Sequence, residues 1–221
     1  MNADPERAKG YFDELAPEYD KAFSETGHGQ AATLVNRFFR GRTFVLRMRR
    51  LGVLFADLRL SGKTVLDLGC GSGQVSVLAA KMGASVHAVD IAPQMLEIAR
   101  RGAASAGVAD KVRFEEGDVS AVTYPPADVV LLIGVVEYYA DLAGVVKRAA
   151  EATRGTLVVA HTTRVFYRML LRRVLFAWKG AAALYFHPMP DVVAAAEAAG
   201  LKLARRVDEH AFSILTFERR G

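Results

Sequence analysis

Val65-Leu-Asp-Leu-Gly-Cys-Gly-Ser-Gly73 carries the strongest structural signal in this chain. Its first four residues form an apolar run that contains one acid, which is typical of a buried strand. Three glycines follow at alternate positions, and the residues from Val75 to Met82 then predict a helix. Glycine lets the backbone approach a ligand closely, and the N-terminus of the helix behind it favours negative charge. The stretch therefore predicts a ligand-binding turn between a strand and a helix.

The same alternation of short apolar runs and longer helical stretches continues to about residue 203. We predict strands at 64–68, 85–89, 112–116, 128–133 and 156–161, and helices at 75–82, 93–106, 142–153 and 190–199. Such strands suit a parallel sheet that is covered on both faces. Two further β-rich runs, 201–207 and 211–218, predict an antiparallel end. The expected fold is α/β: a Rossmann-like doubly wound seven-stranded sheet, mostly parallel with an antiparallel last strand, plus an N-terminal helical cap.

Two basic, aromatic segments lie outside this pattern. Residues 5–60 are mostly helical by pattern, and residues 1–60 are expected to form a cap or lid. Residues 61–221 are expected to form the ligand-binding domain, with a helical insertion at 164–186 over the active site. Arginines interleave with aromatic residues at 34–59 and at 164–180, which suits either a ligand contact or a solvated helix face.

Composition limits the class of protein. The chain has 221 residues, a net charge of +5 and one cysteine, Cys70, so no intrachain disulfide can form. A mild positive charge is compatible with an anionic ligand, nucleic acid or an acidic membrane surface. The longest apolar window, 174–186, is interrupted by Lys179, and the N-terminus lacks the apolar core of a signal peptide. We therefore expect a cytoplasmic protein without a membrane span.

The glycine spacing differs from that of a dinucleotide-binding loop. That fingerprint is G-x-G-x-x-G, whereas Gln74 stands here where its third glycine would fall. An acid, Asp67, lies inside the motif. A carboxylate repels a pyrophosphate but suits an amino group.

Asp67-Leu-Gly-Cys-Gly-Ser-Gly73 resembles the first motif of the class I methyltransferases that depend on S-adenosylmethionine (SAM). The resemblance covers about residues 60–218. It implies SAM as cofactor, S-adenosylhomocysteine as product, and no metal. It also implies a set of cofactor-binding residues, which comprises Asp67, Gly69, Cys70, Gly71, Gly73, Asp90, Ile91, Met95, Asp118, Val119 and Ile133.

The family pattern gives these residues separate roles. Asp90, at the end of the second strand, would hold both ribose hydroxyls, because a carboxylate accepts from two O–H donors. Asp118 would contact the adenine amino group and the Val119 amide a ring nitrogen, with apolar side chains packed on the ring. Residues 133–137 would form the floor below the methionine part.

The segment Tyr11-Phe-Asp-Glu-Leu-Ala-Pro-Glu-Tyr19 resembles the lid of small-molecule methyltransferases. By that resemblance Tyr11 and Tyr19 would close over the methionine end of SAM. The alternative is an amphipathic helix whose aromatic residues pack on the core.

Four residues are candidates for the acceptor side, because ligands of doubly wound sheets bind at the carboxyl ends of the strands. His161 ends the fifth strand and is a candidate base or acceptor-binding group. Glu137 and Tyr139 follow the fourth strand, and His187 follows the second basic segment. A base contributes only if the acceptor loses a proton. Each residue could instead be structural.

The acceptor is expected to be a small molecule, methylated at oxygen or nitrogen. The Asn/Asp-Pro-Pro-Tyr pattern of base-methylating enzymes is absent after the fourth strand, where residues 134–139 read GVVEYY. Residues 162–175 and 183–191 are similar to the magnesium-protoporphyrin IX methyltransferase branch, which esterifies a propionate on an anionic macrocycle. The fourth-strand exit and the N-terminal region depart from that branch.

Other functions remain open at this point. They are a SAM-binding module without turnover, a protein that contacts RNA or a membrane through its basic helices, and a nicotinamide oxidoreductase. The sequence does not indicate the oligomeric state.

Overall fold

The structure is a computed structural model that describes residues 9–13, 16, 31–121, 123–161, 185–209 and 212–219, with side chains of the first long helix from Thr43 onward. The strands are β1 (Thr64–Leu68), β2 (Ser85–Asp90), β3 (Val112–Glu116), β4 (Ala127–Ile133), β5 (Thr153–His161), β6 (Leu201–Asp208) and β7 (Ser213–Arg219). The helices are α1 (Ala31–Asp57), α2 (Gln74–Lys81), α3 (Pro93–Ser105), α4 (Leu142–Glu151) and α5 (Met189–Ala198).

The seven strands form one sheet in the order β3-β2-β1-β4-β5-β7-β6. Strands β1 to β5 pair in parallel, and β7 pairs antiparallel with both β5 and β6. The predicted doubly wound sheet with an antiparallel end is thus confirmed. The order reverses between β1 and β4, and ligands of such sheets bind at the carboxyl ends of the strands near this point.

The other predicted helix ends differ from the structure by one residue at most, but the end of α4 was wrong by two. The helix expected at 142–153 ends at Glu151, and Thr153 already belongs to β5. The Thr153 hydroxyl donates to the carbonyl of Ala149 at 2.7 Å, while its backbone pairs with Ala127 of β4. A β-branched residue with a sheet partner starts the strand here.

Alternate residues of the central strands face two separate apolar layers. Leu66 and Leu132 pack with α4 and α5 on one face, and Val65 and Leu131 pack with α1 and α2 on the other. Helices therefore cover both faces of the sheet.

The predicted cap falls partly within the described residues. The second half of α1 packs on the sheet through Leu51 and Phe55, which are fully buried. Residues 9–13 are helical, and Ala16 packs against Met95. The proposed insertion at 164–186 lies outside the described residues except for its last two. No helix in the described ranges is long and apolar enough to cross a membrane.

Candidate active site

The glycine loop between β1 and α2 curls over the end of β2. The amides of Gly69 and Cys70 both donate to the carbonyl of Val89, at 2.8 and 2.9 Å. Gly69, Gly71 and Gly73 have φ values of 74°, 54° and 77°, a left-handed conformation that favours glycine. The loop therefore depends on glycine at all three positions.

The three glycines meet different surroundings. A Cβ on Gly69 would collide with Val135, and a Cβ on Gly73 would stand 2.7 Å from the Cβ of Ala99. For a Cβ on Gly71, no atom of the described residues lies within 4 Å. Gly69 and Gly73 thus allow close packing, whereas the described residues leave the side-chain position of Gly71 open.

Asp90 joins the glycine loop to the end of β2. One carboxylate oxygen accepts from the Gly71 amide at 2.7 Å, and the other accepts from the Ala92 amide at 3.0 Å. Burial raises the pKa of Asp90, while hydrogen bonds from backbone amides oppose that rise. A carboxylate offers about four lone-pair positions, so Asp90 keeps acceptor capacity for a further donor.

Asp67 lies beneath the loop. Its side chain is almost fully buried and accepts a hydrogen bond from the Ser76 hydroxyl at 2.5 Å. Burial raises the pKa of Asp67 to about 6, the Ser76 hydrogen bond opposes that rise, and the charge of Asp90 adds to it. A second buried negative charge therefore lies next to Asp90 at neutral pH.

Cys70 is a protonated thiol in this setting. Burial and then the charges of Asp90 and Asp67 raise the pKa of Cys70 well above its ordinary value. Since the thiolate is the nucleophilic form, Cys70 serves the loop as a small side chain.

Asp118 is held by neighbours on two elements. One carboxylate oxygen accepts from the Ser120 amide at 2.8 Å, from the Ser120 hydroxyl at 2.9 Å and from the Tyr139 hydroxyl at 3.0 Å. Burial, with the Asp118 charge, raises the pKa of Tyr139, so this hydroxyl stays protonated and donates. Sequence reasoning placed Tyr139 among the acceptor candidates, and the structure places its hydroxyl on Asp118.

Glu137 and His161 meet at the ends of β4 and β5. Glu137 Oε1 lies 3.9 Å from His161 Nδ1, and both side chains are buried. Burial lowers the pKa of His161, while the charge of Glu137 opposes that change. His161 is therefore neutral at pH 7, with its imidazole next to a carboxylate.

The segment 185–187 forms hydrogen bonds both to the turn after β4 and to His161. The Tyr185 amide donates to the Glu137 carbonyl and the His187 ring to the Tyr139 carbonyl, each at 2.8 Å. The carbonyl of His187 accepts a hydrogen bond from the His161 ring. The four predicted acceptor-side residues thus form one connected group.

The described part of the N-terminal segment contacts the start of α3 and the turn after β4. Asp13 accepts from the Gln94 amide at 3.2 Å, at the start of α3. The Phe12 ring lies edge-to-face against the Tyr138 ring, with centroids 5.1 Å apart, and the Tyr11 ring contacts Phe12. Tyr19 lies outside the described residues.

The remaining predicted cofactor residues differ in their exposure. Met95 and Val119 are buried, while Ile91, which follows β2, and Ile133, which ends β4, are partly exposed. No group of three or more His, Cys, Asp or Glu residues in the described part of the chain could hold a metal ion.

Sequence reasoning missed the position of Arg47. This residue was one of several arginines in the predicted cap. In the structure its Nη1 lies 3.3 Å from where a Cβ of Gly134 would stand, at the end of β4. Gly134, directly after an apolar strand, was the one sequence signal for a close contact at this point. Only the packing of α1 on the sheet shows that the contact is made by Arg47.

Residues 65–155 match the family described as "Methyltransferase domain". By this match, residues 65–155 form a methyltransferase domain. The match begins in β1 and includes the glycine loop, Asp90, Asp118 and the turn after β4. Its motifs are thus the ones that meet at the carboxyl edge.

Two curated methyltransferases are similar to part of this chain. The chloroplastic magnesium protoporphyrin IX methyltransferase of Arabidopsis thaliana is 30% identical over 159 residues, which are 70% of this chain and 51% of that protein. A ubiquinone biosynthesis O-methyltransferase of Xylella fastidiosa is 31% identical over 125 residues, 55% of this chain and 51% of that protein. The chain spans about half the length of these two relatives.

A solved structure shows the same fold. The magnesium protoporphyrin IX methyltransferase of Synechocystis PCC 6803 with bound S-adenosylhomocysteine matches 98% of this chain and 100% of its own, with a TM-score of 0.78 and 20% identity. At that identity the likeness concerns the fold of the methyltransferase domain.

Proposed function

We propose that this protein transfers a methyl group from SAM to an oxygen or nitrogen atom of a small molecule. The observation that carries the proposal is the Asp90 carboxylate, which accepts from the Gly71 amide at the carboxyl edge, where no atom of the described residues lies within 4 Å of a Cβ on Gly71. Both relatives named above are methyltransferases by their names, and one is named for ubiquinone biosynthesis, which supports the same class of reaction here.

The residues at the edge fit an adenosyl cofactor. Asp90 has acceptor capacity beyond its backbone partners, as two ribose hydroxyls require. Asp118 is oriented by Ser120 and Tyr139, so its second oxygen can accept from an adenine amino group. The charge of Asp67 suits a cationic amino group.

When bound, SAM supplies an electrophilic methyl group on a sulfonium. The protein then has to align the acceptor atom with that methyl group and keep water away. Asp90 and Asp118 would fix the adenosyl part, while the turn 134–139 would support the reacting end. A neutral His161 next to Glu137 can accept the proton that an O–H or N–H acceptor loses.

The cofactor half of this proposal has a direct test in Asp90→Ala. We expect this change to weaken S-adenosylhomocysteine binding by roughly 1.5–3 kcal/mol, or about 10- to 150-fold, because hydrogen bonds to a charged group are lost. Isothermal titration calorimetry measures the affinity. Asp90→Asn retains one acceptor oxygen and should lose less, and the exposed Asp110→Ala should bind as the wild type does. Equal affinity of Asp90→Ala and wild type would refute this assignment.

A ligand series separates methyl transfer from the alternatives. We expect SAM and S-adenosylhomocysteine, but not NADH, to raise the unfolding midpoint by about 5–10 °C at a hundred times the dissociation constant. A shift with NADH alone would favour an oxidoreductase. Binding without transfer of labelled methyl to any compound of a metabolite extract would favour the non-catalytic module.

The acceptor half predicts a coupled titration of Glu137 and His161. In Glu137→Gln we expect the pKa of His161 to fall further, because the charge that opposes the effect of burial is removed. The acid limb of the pH–rate profile should move to lower pH while the rate at pH 7.5 decreases. NMR titration of the imidazole checks the pKa without an acceptor.

The control for this prediction is another partly buried histidine. His87 lies in the middle of β2, where its ring forms a 3.0 Å contact with Glu115 of β3. His87→Gln should leave the rate and its pH profile unchanged. An unaltered His161 titration in Glu137→Gln would contradict the coupling.

A further inference from the structure

Arg47 reaches the carboxyl edge from α1. Its Nη1 lies 3.3 Å from the position of a Cβ on Gly134, the residue that directly follows β4. The Gly134 amide donates to the Ala160 carbonyl of β5 at 2.9 Å. The guanidinium therefore lies over the adjacent ends of β4 and β5.

This position adjoins the glycine loop. Gly134 has a left-handed φ of 71°, and the next residue, Val135, is the one that a Cβ on Gly69 would strike. The loop and the turn after β4 are thus in direct contact. A ligand that lies along the loop toward β4 comes within reach of Arg47.

The local charges give this arginine a specific use. Asp67, Asp90 and Glu137 make this part of the edge acidic, which disfavours an anionic group on a ligand. A guanidinium offsets that repulsion and presents five N–H donors in a planar fork that matches a carboxylate. The Phe44 ring lies 6.0 Å from the Arg47 Cζ and limits the directions that the fork can take.

The geometry points to Arg47 as a carboxylate-binding residue of the methyltransferase site. This inference rests on the proposed function for the identity of the ligand. Two ligands could supply the group: the α-carboxylate of the cofactor's methionine part, or a carboxylate on the acceptor. The experiment distinguishes these sources.

The test compares Arg47→Gln with wild type for three probes. S-adenosylhomocysteine carries the α-carboxylate, 5′-methylthioadenosine lacks the amino-acid end, and benzoate presents a carboxylate alone. If Arg47 binds the cofactor, S-adenosylhomocysteine affinity should fall roughly 10- to 100-fold while methylthioadenosine affinity stays constant. If it binds the acceptor, only benzoate binding, followed by NMR on the free and the S-adenosylhomocysteine-saturated protein, should weaken.

Two further variants serve as controls. Arg49 is exposed on the same helix, so Arg49→Gln should leave all three affinities unchanged. Arg47→Lys keeps the charge but not the planar fork, so its affinities should fall between those of wild type and Arg47→Gln. This variant also provides a test if Arg47→Gln fails to fold.

The outcomes are separable from those of the proposed function. Wild type that binds neither adenosyl probe refutes the SAM proposal, and benzoate then tests Arg47 alone. Arg47→Gln that binds S-adenosylhomocysteine and benzoate within about threefold of wild type overturns the inference.

Discussion

Replacing Gly73 with alanine is expected to lower the free energy of unfolding by roughly 2–5 kcal/mol. The new methyl group would stand 2.7 Å from the Cβ of Ala99 on α3, and a side chain in a left-handed conformation adds strain. Urea denaturation of the ligand-free protein measures the change. A loss below about 1 kcal/mol would mean that α3 moves aside easily.

Gly71→Ala is the matched control, because it shares the backbone conformation but not the collision. For this variant we expect the free energy of unfolding of the ligand-free protein to fall by only roughly 1–2 kcal/mol, the cost of a left-handed backbone conformation for alanine. Its methyl group projects into the open space beside Asp90, so S-adenosylhomocysteine binding should weaken by a larger factor than stability alone explains. If Gly71→Ala binds normally, the cofactor does not pass this side of the loop.

Asp67→Asn is expected to stabilise the protein at neutral pH by up to about 3 kcal/mol while it weakens SAM binding. The pKa of Asp67 is raised from 3.8 to about 6, so the folded state holds its proton more tightly than the unfolded state. Stability from this group is present below pH 4 and is lost as pH rises through 6. Asparagine carries no charge and still accepts a hydrogen bond from Ser76, so the stability of the variant should not fall between pH 4 and 6 as that of the wild type does.

Chemical denaturation of both proteins from pH 4 to 8 checks the sign. The difference between variant and wild type should grow between pH 4 and 6 and then stay constant. Asp128→Asn is the opposite control, because hydrogen bonds from Thr64 lower the pKa of Asp128. That variant should lose stability at neutral pH. A stabilised Asp67→Asn with unchanged SAM affinity would show that the buried charge serves no ligand.

Local patterns predicted the central sheet well. β1 and β3 begin and end at the predicted residues, since an apolar run between turn-forming residues is a local property. The start of β5 was misplaced because Thr153 and its neighbours lack an apolar run, and only pairing with β4 makes them a strand. Pairing partners of this kind are not encoded in a sequence window.

The candidate site shows the same contrast between local sequence patterns, which were predicted, and contacts between distant segments, which were not. Asp90 and Asp118 became candidates through the family resemblance, because each acid follows a predicted strand where the family pattern has one. The contact of Tyr139 with Asp118 and the approach of Arg47 to Gly134 join residues far apart in the chain. Such contacts depend on how helices and turns pack in three dimensions, so the spacing of residues in the sequence does not predict them.

The order of strands also has a consequence for biosynthesis. β7 lies between β5 and β6, although both are made before it. Until Ser213–Arg219 emerges, the outer edge of β5 has no partner and β6 has no place in the sheet. An unpaired strand edge is a template for aggregation. A chain cut before Ser213 would therefore leave two exposed edges, and this half of the sheet must be completed late, by insertion of a strand rather than by addition at a margin.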